Sequence, residues 1–316
     1  MGCANWNLSV PNYIKKVLKQ FQHTVNKIQN APYPSVPLTI WSQETICNTK
    51  IISTAGGCQN QEVHPASTMC GKSFYFWAKQ STVHSTLLRP ISAIASQSSA
   101  PTTDTFKNTM QLLNYLGTQE DAVLSYHLSD MILAVHSDVS YLSEPKALSR
   151  AGGHFILSND THIPPNNVAV LKIAHIIKNV MSSATEAELA GLYIMAREAV
   201  YIRIILEDLG HKQPSTPLQT DNDMADAVIN GNVQPKQTKA MDMWFQCQQQ
   251  FRIYWRPGKN YADYWTEHHP EAHHRNILKE FLTPHIVIIE MLRIEQQQKR
   301  NASNAKWGPT KEVTSS

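Results

Sequence analysis

The sequence predicts an α/β protein. It reads as one mixed five-stranded sheet, three antiparallel strands followed by parallel ones, with helices on both faces. A mostly helical, partly irregular segment precedes it. Three observations carry this reading. Residues 131–141, MILAVHSDVSY, are an apolar run that ends on a carboxylate, Asp138, as a buried strand delivering an acid would. Two further β-rich runs, 154–158 and 168–177, follow with turn residues and no helical period between them, which fits an antiparallel meander. A long helical period at 184–209 then separates these from the next apolar run at 218–220, and it is long enough to be the crossover of a parallel pair.

The chain has 316 residues, enough for one large or two ordinary domains. A hydrophobic fraction of 42% excludes wholesale disorder. The net charge of +3 is compatible with binding nucleic acid but does not imply it. The five cysteines, Cys3, Cys47, Cys58, Cys70 and Cys247, contain no C-x-x-C pair. They read as reduced thiols of an intracellular protein, cytoplasmic or nuclear, without a structural zinc site. No apolar core of signal-peptide length opens the chain, and Trp6 stands where a myristoylation pattern wants Ser or Thr. The apolar run at 286–292 is broken by Glu290 and is too short to span a bilayer, so no membrane partner is expected.

In chain order, residues 13–23 carry apolar residues at helical spacing, and Pro32, Pro34 and Pro37 follow as breakers. Residues 36–70 read as loop. Residues 71–96 suggest two helical pieces separated near Pro90. Residues 102–117 suggest a helix with a stripe of Phe106, Met110, Leu113 and Leu116 and a C-cap at Gly117. Residues 123–127 are a short extended lead-in. Gly152-Gly153 follows a turn after the first strand, 131–137, and precedes the second, 154–158. Ser183 and Glu186 have capping-box spacing at the head of the long helix, and Gly210 closes it. Short helices are expected at 224–230 and 235–245, a fifth strand at 251–255, and an interrupted helix at 261–281 around Pro270. Beyond residue 296 the chain is a polar tail.

Four acids stand in settings that allow convergence at a strand end, where ligand sites gather in such sheets. Asp138 ends its strand, although a turn-capping role fits it too. Glu186 has a sufficient structural role as the third residue of the capping box. Glu188 has none, and it heads the face of Leu192, Met195, Ala199 and Ile202. A buried carboxylate there needs a partner or a metal, unless the first turn projects into solvent. Asp221 ends the run at 217–221, with Asp223 able to cap the next helix in its place. Asp263 lies at a helix start, where a first-turn acid is also favourable in its own right. Together these four hard-oxygen donors would suit Mg²⁺, or Mn²⁺, in a two-ion site.

The segments HSDVSYLSEPKALSRAGGHF, SSATEAELAGL, QTDNDMADAVIN, QTKAMDMWF and YWRPGKNYADYWTEHHP, in that order, resemble the RNase H domain of copia-type retrotransposon polyproteins over residues 123–275. The resemblance implies an RNase H-like fold holding four metal-binding acids, Asp138, Glu188, Asp221 and Asp263. It implies Mg²⁺-dependent hydrolysis of the RNA strand of an RNA/DNA hybrid. Residues 8–117 resemble more weakly the region between polymerase and RNase H, through LSVPNYIKKVLKQFQH and NTMQLLNYLGT. The expected organisation is therefore a reverse-transcriptase connection remnant at 1–120, an RNase H-like domain at 121–282, and a short helix and loose tail at 283–316. No Asp-Asp pair occurs in the chain, so no DNA synthesis is expected.

The pattern is departed from at Ala240, where many copia elements have His, and in the short link 246–250 before the fifth strand. That link raises the alternative of a catalytically inactive remnant, with Asp263 displaced, that at most binds nucleic acid. An integrase-like nuclease is a third and poorer reading. For substrate, Arg150, Arg256 and Lys259 are the expected phosphate contacts, with Lys236, Lys239 and Arg252 nearby; a hairpin turn and a mixed surface are the plain alternatives. The His-rich stretch 268–274 reads as a solvated patch in preference to a metal site, and Tyr193, Trp244 and Trp255 as core.

Overall fold

The structure is a computed structural model that describes residues 5–10, 12–35, 84–97, 103–119, 123–230 and 250–282. In chain order its elements are β1 (Asn5–Leu8), α1 (Tyr13–Gln20), α2 (Leu88–Ser96), α3 (Thr103–Thr118), β2 (Leu124–His127), β3 (Ile132–Glu144) and β4 (Leu148–Ser158). They continue as β5 (Ala169–Ile177), α4 (Ala184–Asp208), β6 (Thr216–Thr220), α5 (Asp223–Ile229), β7 (Phe251–Trp255), α6 (Asp263–Thr266) and α7 (Glu271–Phe281). The expected helix at 235–245, the residues 36–83, the link 246–249, the tail from 283 and all five cysteines lie outside the described residues.

The main sheet has the order β5-β4-β3-β6-β7. β3, β4 and β5 pair antiparallel, and β6 and β7 join parallel to β3, as the sequence predicts. The first two strands are longer than expected. Gly152 and Gly153, expected after a turn and ahead of the second strand, lie inside β4, and the turn that precedes them is at residues 145–147, where Lys146 and Ala147 take positive φ angles of 64° and 55°. The glycines serve packing. A Cβ on Gly153 would lie 2.2 Å from the Met195 sulfur, and one on Gly152 would lie 2.7 Å from the Ala262 carbonyl oxygen.

The two glycines mark the two faces of the sheet. On one face lies α4, with Leu192, Met195 and Ala199 fully buried against Leu133, Val135 and Phe155. Gly191 brings this helix close, since a Cβ there would meet Val139 at 2.3 Å. The capping box forms only partially. Ser183 Oγ accepts from the Glu186 amide at 3.1 Å, while Glu186 Oε2 accepts from the amide of Ser182, one residue earlier than expected. On the other face lie α6 and α7, where Tyr261, Tyr264, Trp265 and Phe281 form an aromatic cluster.

The N-terminal helices have a core of their own, including Ile14, Leu87, Ile94, Leu112, Leu113 and Tyr115. Pro90 does not separate a pair of helices. It sits in the first turn of α2, where its missing N–H is harmless. Phe106, expected in the apolar stripe of α3, is 39% exposed, and Gly117 lies within α3 rather than capping it. β1, which no periodicity announces, pairs antiparallel with β2 as a separate two-stranded ribbon. No helix of the described residues is long and apolar enough to cross a membrane.

Candidate metal centre

Register explains how the acids approach one another. Asp138 does not end its strand as expected, because β3 continues to Glu144 alongside β4. It does lie beyond the parallel half of the sheet, since the β3–β6 pairing stops at His136↔Gln219. Two residues further along that register, Asp138 comes beside Asp221, which immediately follows β6. Asp263 opens α6 on the opposite side of β4 from α4. One ligand atom from each of Asp138, Asp221 and Asp263 lies within 4.8 Å of the other two. The short link before β7 therefore does not carry Asp263 away.

Glu188 approaches from α4. Its Oε1 accepts from the Val139 amide at 3.2 Å, next to Asp138 in β3. It stands beside the triad rather than within that 4.8 Å group. Asn222, not Asp221 or Asp223, caps α5, with its side chain accepting from the Ala225 amide at 2.8 Å. Asp221 is thus left without a capping role.

Electrostatics mark this cluster as unfavourable when fully ionised. Burial, then the charges of Asp138, Asp221 and Asp263, push the Glu188 carboxyl up to about 9. Burial, then the neighbouring acids, raise Asp263 as well. Burial raises Asp138, partly opposed by a hydrogen bond from Thr266, with Asp221 adding to the rise. Asp221 is raised by burial. Two carboxylate oxygens, Glu188 Oε2 and Asp263 Oδ1, are buried without a hydrogen-bond partner. Converging, mutually repelling carboxylates with free buried oxygens fit a hard divalent cation of the Mg²⁺ or Mn²⁺ kind, which satisfies the oxygens and removes the repulsion together.

The expected phosphate contacts divide. Arg150 is a correction: its side chain is wholly buried, donating to Glu144 at 2.7 Å, to Ser92 Oγ at 3.1 Å and to the Ala174 carbonyl at 3.2 Å. A guanidinium spent inside the protein cannot meet a phosphate. Lys259 is exposed, with its Nζ 5.4 Å from the Tyr261 ring, and Arg256 is half-buried where the chain leaves β7. Lys236 and Lys239 lie outside the described residues. The His-rich stretch is not a solvated patch throughout. His274 is 2% exposed and bonds to two tyrosine hydroxyls, and His268 stacks on Tyr33 at 4.3 Å. Trp255, expected in the core, is 47% exposed, and its indole donates to the Asp221 carbonyl at 3.1 Å.

Two residues that support the acids, Thr266 and Asn260, drew no expectation from the sequence. Thr266 Oγ1 donates to Asp138 Oδ2 and to the Asp263 carbonyl, linking two of the acids. Asn260, 5% exposed, donates from Nδ2 to the Ser137 carbonyl at 2.7 Å and accepts from the Ala262 amide at 3.1 Å. It thereby ties the approach to α6 to the strand that carries Asp138. Gly152 lies opposite Asp138 in the β3–β4 register.

No protein-family model and no curated protein matches the chain. Among solved structures it is similar to the N-terminal RNase H domain of a Mycobacterium tuberculosis protein, solved as a fusion with maltose-binding protein. That match has 18% identity over 43% of this chain and 91% of the other, with a TM-score of 0.31. It is also similar to an RNase H1 isolated from compost by a metagenomic approach, at 12% identity over 43% of this chain and 93% of the other, with a TM-score of 0.31. A third similar structure is the protease-reverse transcriptase of prototype foamy virus, at 15% identity over 40% of this chain and 17% of that one, with a TM-score of 0.26.

Proposed function

We propose that this chain carries an RNase H-type endonuclease domain of a copia-type retrotransposon polyprotein, cleaving the RNA strand of RNA/DNA hybrids in a Mg²⁺-dependent reaction. The observation that carries the reading is the convergence of Asp138, Asp221 and Asp263 within 4.8 Å, with Glu188 buried beside them. Asp138, Glu188, Asp221 and Asp263 would hold two ions, which when bound supply Lewis acidity to activate a water and stabilise the leaving oxygen. The chain's own role is to hold these acids rigidly: Val139 and Thr266 fix Glu188 and Asp138, and Asn260 fixes the approach to Asp263. Lys259 and Arg256 offer cationic groups to the phosphates of the hybrid.

The competing reading, an inactive remnant, draws on the short link before β7; the closeness of Asp263 to Asp138 and Asp221 favours the nuclease reading over it. The test is cleavage of a labelled RNA/DNA hybrid by the purified chain in Mg²⁺, with Asp138→Asn as control. Cleavage by the wild type alone supports the proposal; no cleavage, or equal cleavage by the control, rejects it.

A further inference from the structure

α6 is four residues long, and its N-cap residue, Ala262, provides no side-chain cap. One helical turn has too few internal hydrogen bonds to hold itself in place. The position of Asp263 is therefore set by what the rest of α6 touches. Trp265 is fully buried among His154, Tyr264 and Phe281. The Tyr264 hydroxyl bonds to His274 Nδ1 at 2.5 Å. The other nitrogen of that ring, Nε2, meets the Tyr115 hydroxyl at 3.1 Å. Tyr115 in turn meets Thr86 Oγ1 at 3.1 Å, and Thr86 meets His84 Nδ1 at 2.9 Å. All five side chains are buried.

This polar chain crosses a seam. His84, Thr86 and Tyr115 belong to the N-terminal helical unit, whereas His274 and Tyr264 belong to the sheet unit. A second contact crosses the same seam independently: Arg89 of α2 and Arg150 of β4 share the Glu144 carboxylate at 2.9 and 2.7 Å.

We infer that residues 84–97 and 103–119 are a positioning element for the acid cluster, with Tyr115 as the positioning residue that holds α6, and so Asp263, through His274 and Tyr264. The inference rests on reading the cluster as a cation site. With both ring nitrogens engaged, His274 cannot turn without losing a buried hydrogen bond. Removing the Tyr115 hydroxyl leaves Nε2 without its partner and frees the ring, while the packing surface of a phenyl group remains.

The test uses the full chain as wild type, Tyr115→Phe, Tyr264→Phe and Tyr141→Phe. Tyr141 donates to the Met181 carbonyl at 3.3 Å and packs in the core on the α4 side of the sheet, so its variant controls for the loss of a tyrosine hydrogen bond as such. Mn²⁺ affinity is read from the paramagnetic signal of the free ion, and hybrid cleavage is measured against Mn²⁺ concentration. Tyr115→Phe should bind Mn²⁺ about tenfold more weakly, the lower end of the effect of removing groups that orient metal ligands. Its cleavage should recover at saturating Mn²⁺. Tyr264→Phe should show the same loss, and it decides the matter if Tyr115→Phe does not fold. Wild-type Mn²⁺ affinity in the Tyr115 and Tyr264 variants, or an equal loss in Tyr141→Phe, overturns the inference. A wild type that binds no Mn²⁺ instead overturns the cation-site reading, and this inference falls with it.

Discussion

Gly152 faces Asp138 across the β3–β4 pair, and the side chain it lacks is what admits α6 to the acid cluster. A Cβ on Gly152 would lie 2.6 Å from Thr266 Cγ2 and 2.7 Å from the Ala262 carbonyl oxygen. Backbone on one side and a hydrogen-bonded threonine on the other leave no flexible atom to yield. Gly152→Ala should therefore lower stability by about 1–3 kcal/mol and push Asp263 outward. Thermal melts combined with Mg²⁺ titration check this. A variant with unchanged melting and unchanged Mg²⁺ response would show that the close approach is not needed.

Glu188 gives a prediction of opposite sign. Its carboxyl ionises near 4.5 in an unfolded chain but keeps its proton to about 9 in the folded one. Across that window the folded state binds the extra proton, so stability falls as pH rises. Without divalent cations, the melting temperature should drop between pH 6 and pH 9, and added Mg²⁺ should restore more of it at pH 9 than at pH 6. Glu188→Gln keeps the shape and removes the charge. It should reduce this pH slope, leaving the part contributed by Asp138 and Asp263, which are raised to about 7 and about 8, and raise the cation-free stability at pH 8 by at least about 1 kcal/mol, or roughly 2–4 °C, while weakening Mg²⁺ binding. Calorimetry with and without chelator measures both.

Arg150 and Lys259 should separate cleanly. Arg150→Met leaves Glu144 buried with one cation fewer and should cost about 3–5 kcal/mol. Its effect on hybrid binding should follow only from unfolding. Lys259→Ala should leave the melting temperature within the range of about 1 °C expected for a surface change below 0.5 kcal/mol. It should weaken hybrid binding and reduce the salt slope of affinity by about 1. Binding isotherms at several salt concentrations distinguish the two.

How far the site is legible in the sequence depends on range. Ser183 and Glu186 announce the start of α4 because a capping box is local, and Glu188 stands out because the apolar period beneath it leaves a carboxylate with no structural work. Strand β7 and the break at Pro270 are local as well. Gly152-Gly153 conceals the first half of β4 for the same reason: a glycine pair weakens the local strand pattern, and only the approach of α4 and α6 from opposite faces shows why two glycines sit inside a strand. Arg150 misleads because its partners, Glu144, Ser92 and Ala174, come from three separate elements. Asn260 and Thr266 carry no periodic signal, since their work is done through tertiary hydrogen bonds. β1 is four residues long and finds its partner more than a hundred residues later, beyond any local pattern.

That ribbon has a practical consequence. Asn5 to Leu8 lie in register with His127 to Leu124, while Trp6 and Leu8 remain 74% and 44% exposed, so β1 contributes backbone pairing more than burial. A fragment started at residue 121 would keep all four acids, yet it would bare the pairing groups of β2 as an open edge. Bare edges recruit strands from other molecules. Such a fragment should self-associate at concentrations where the full chain does not, and sedimentation of the two would show it. Where this protein is divided for study therefore decides whether the sheet unit that holds the four acids behaves as a single molecule.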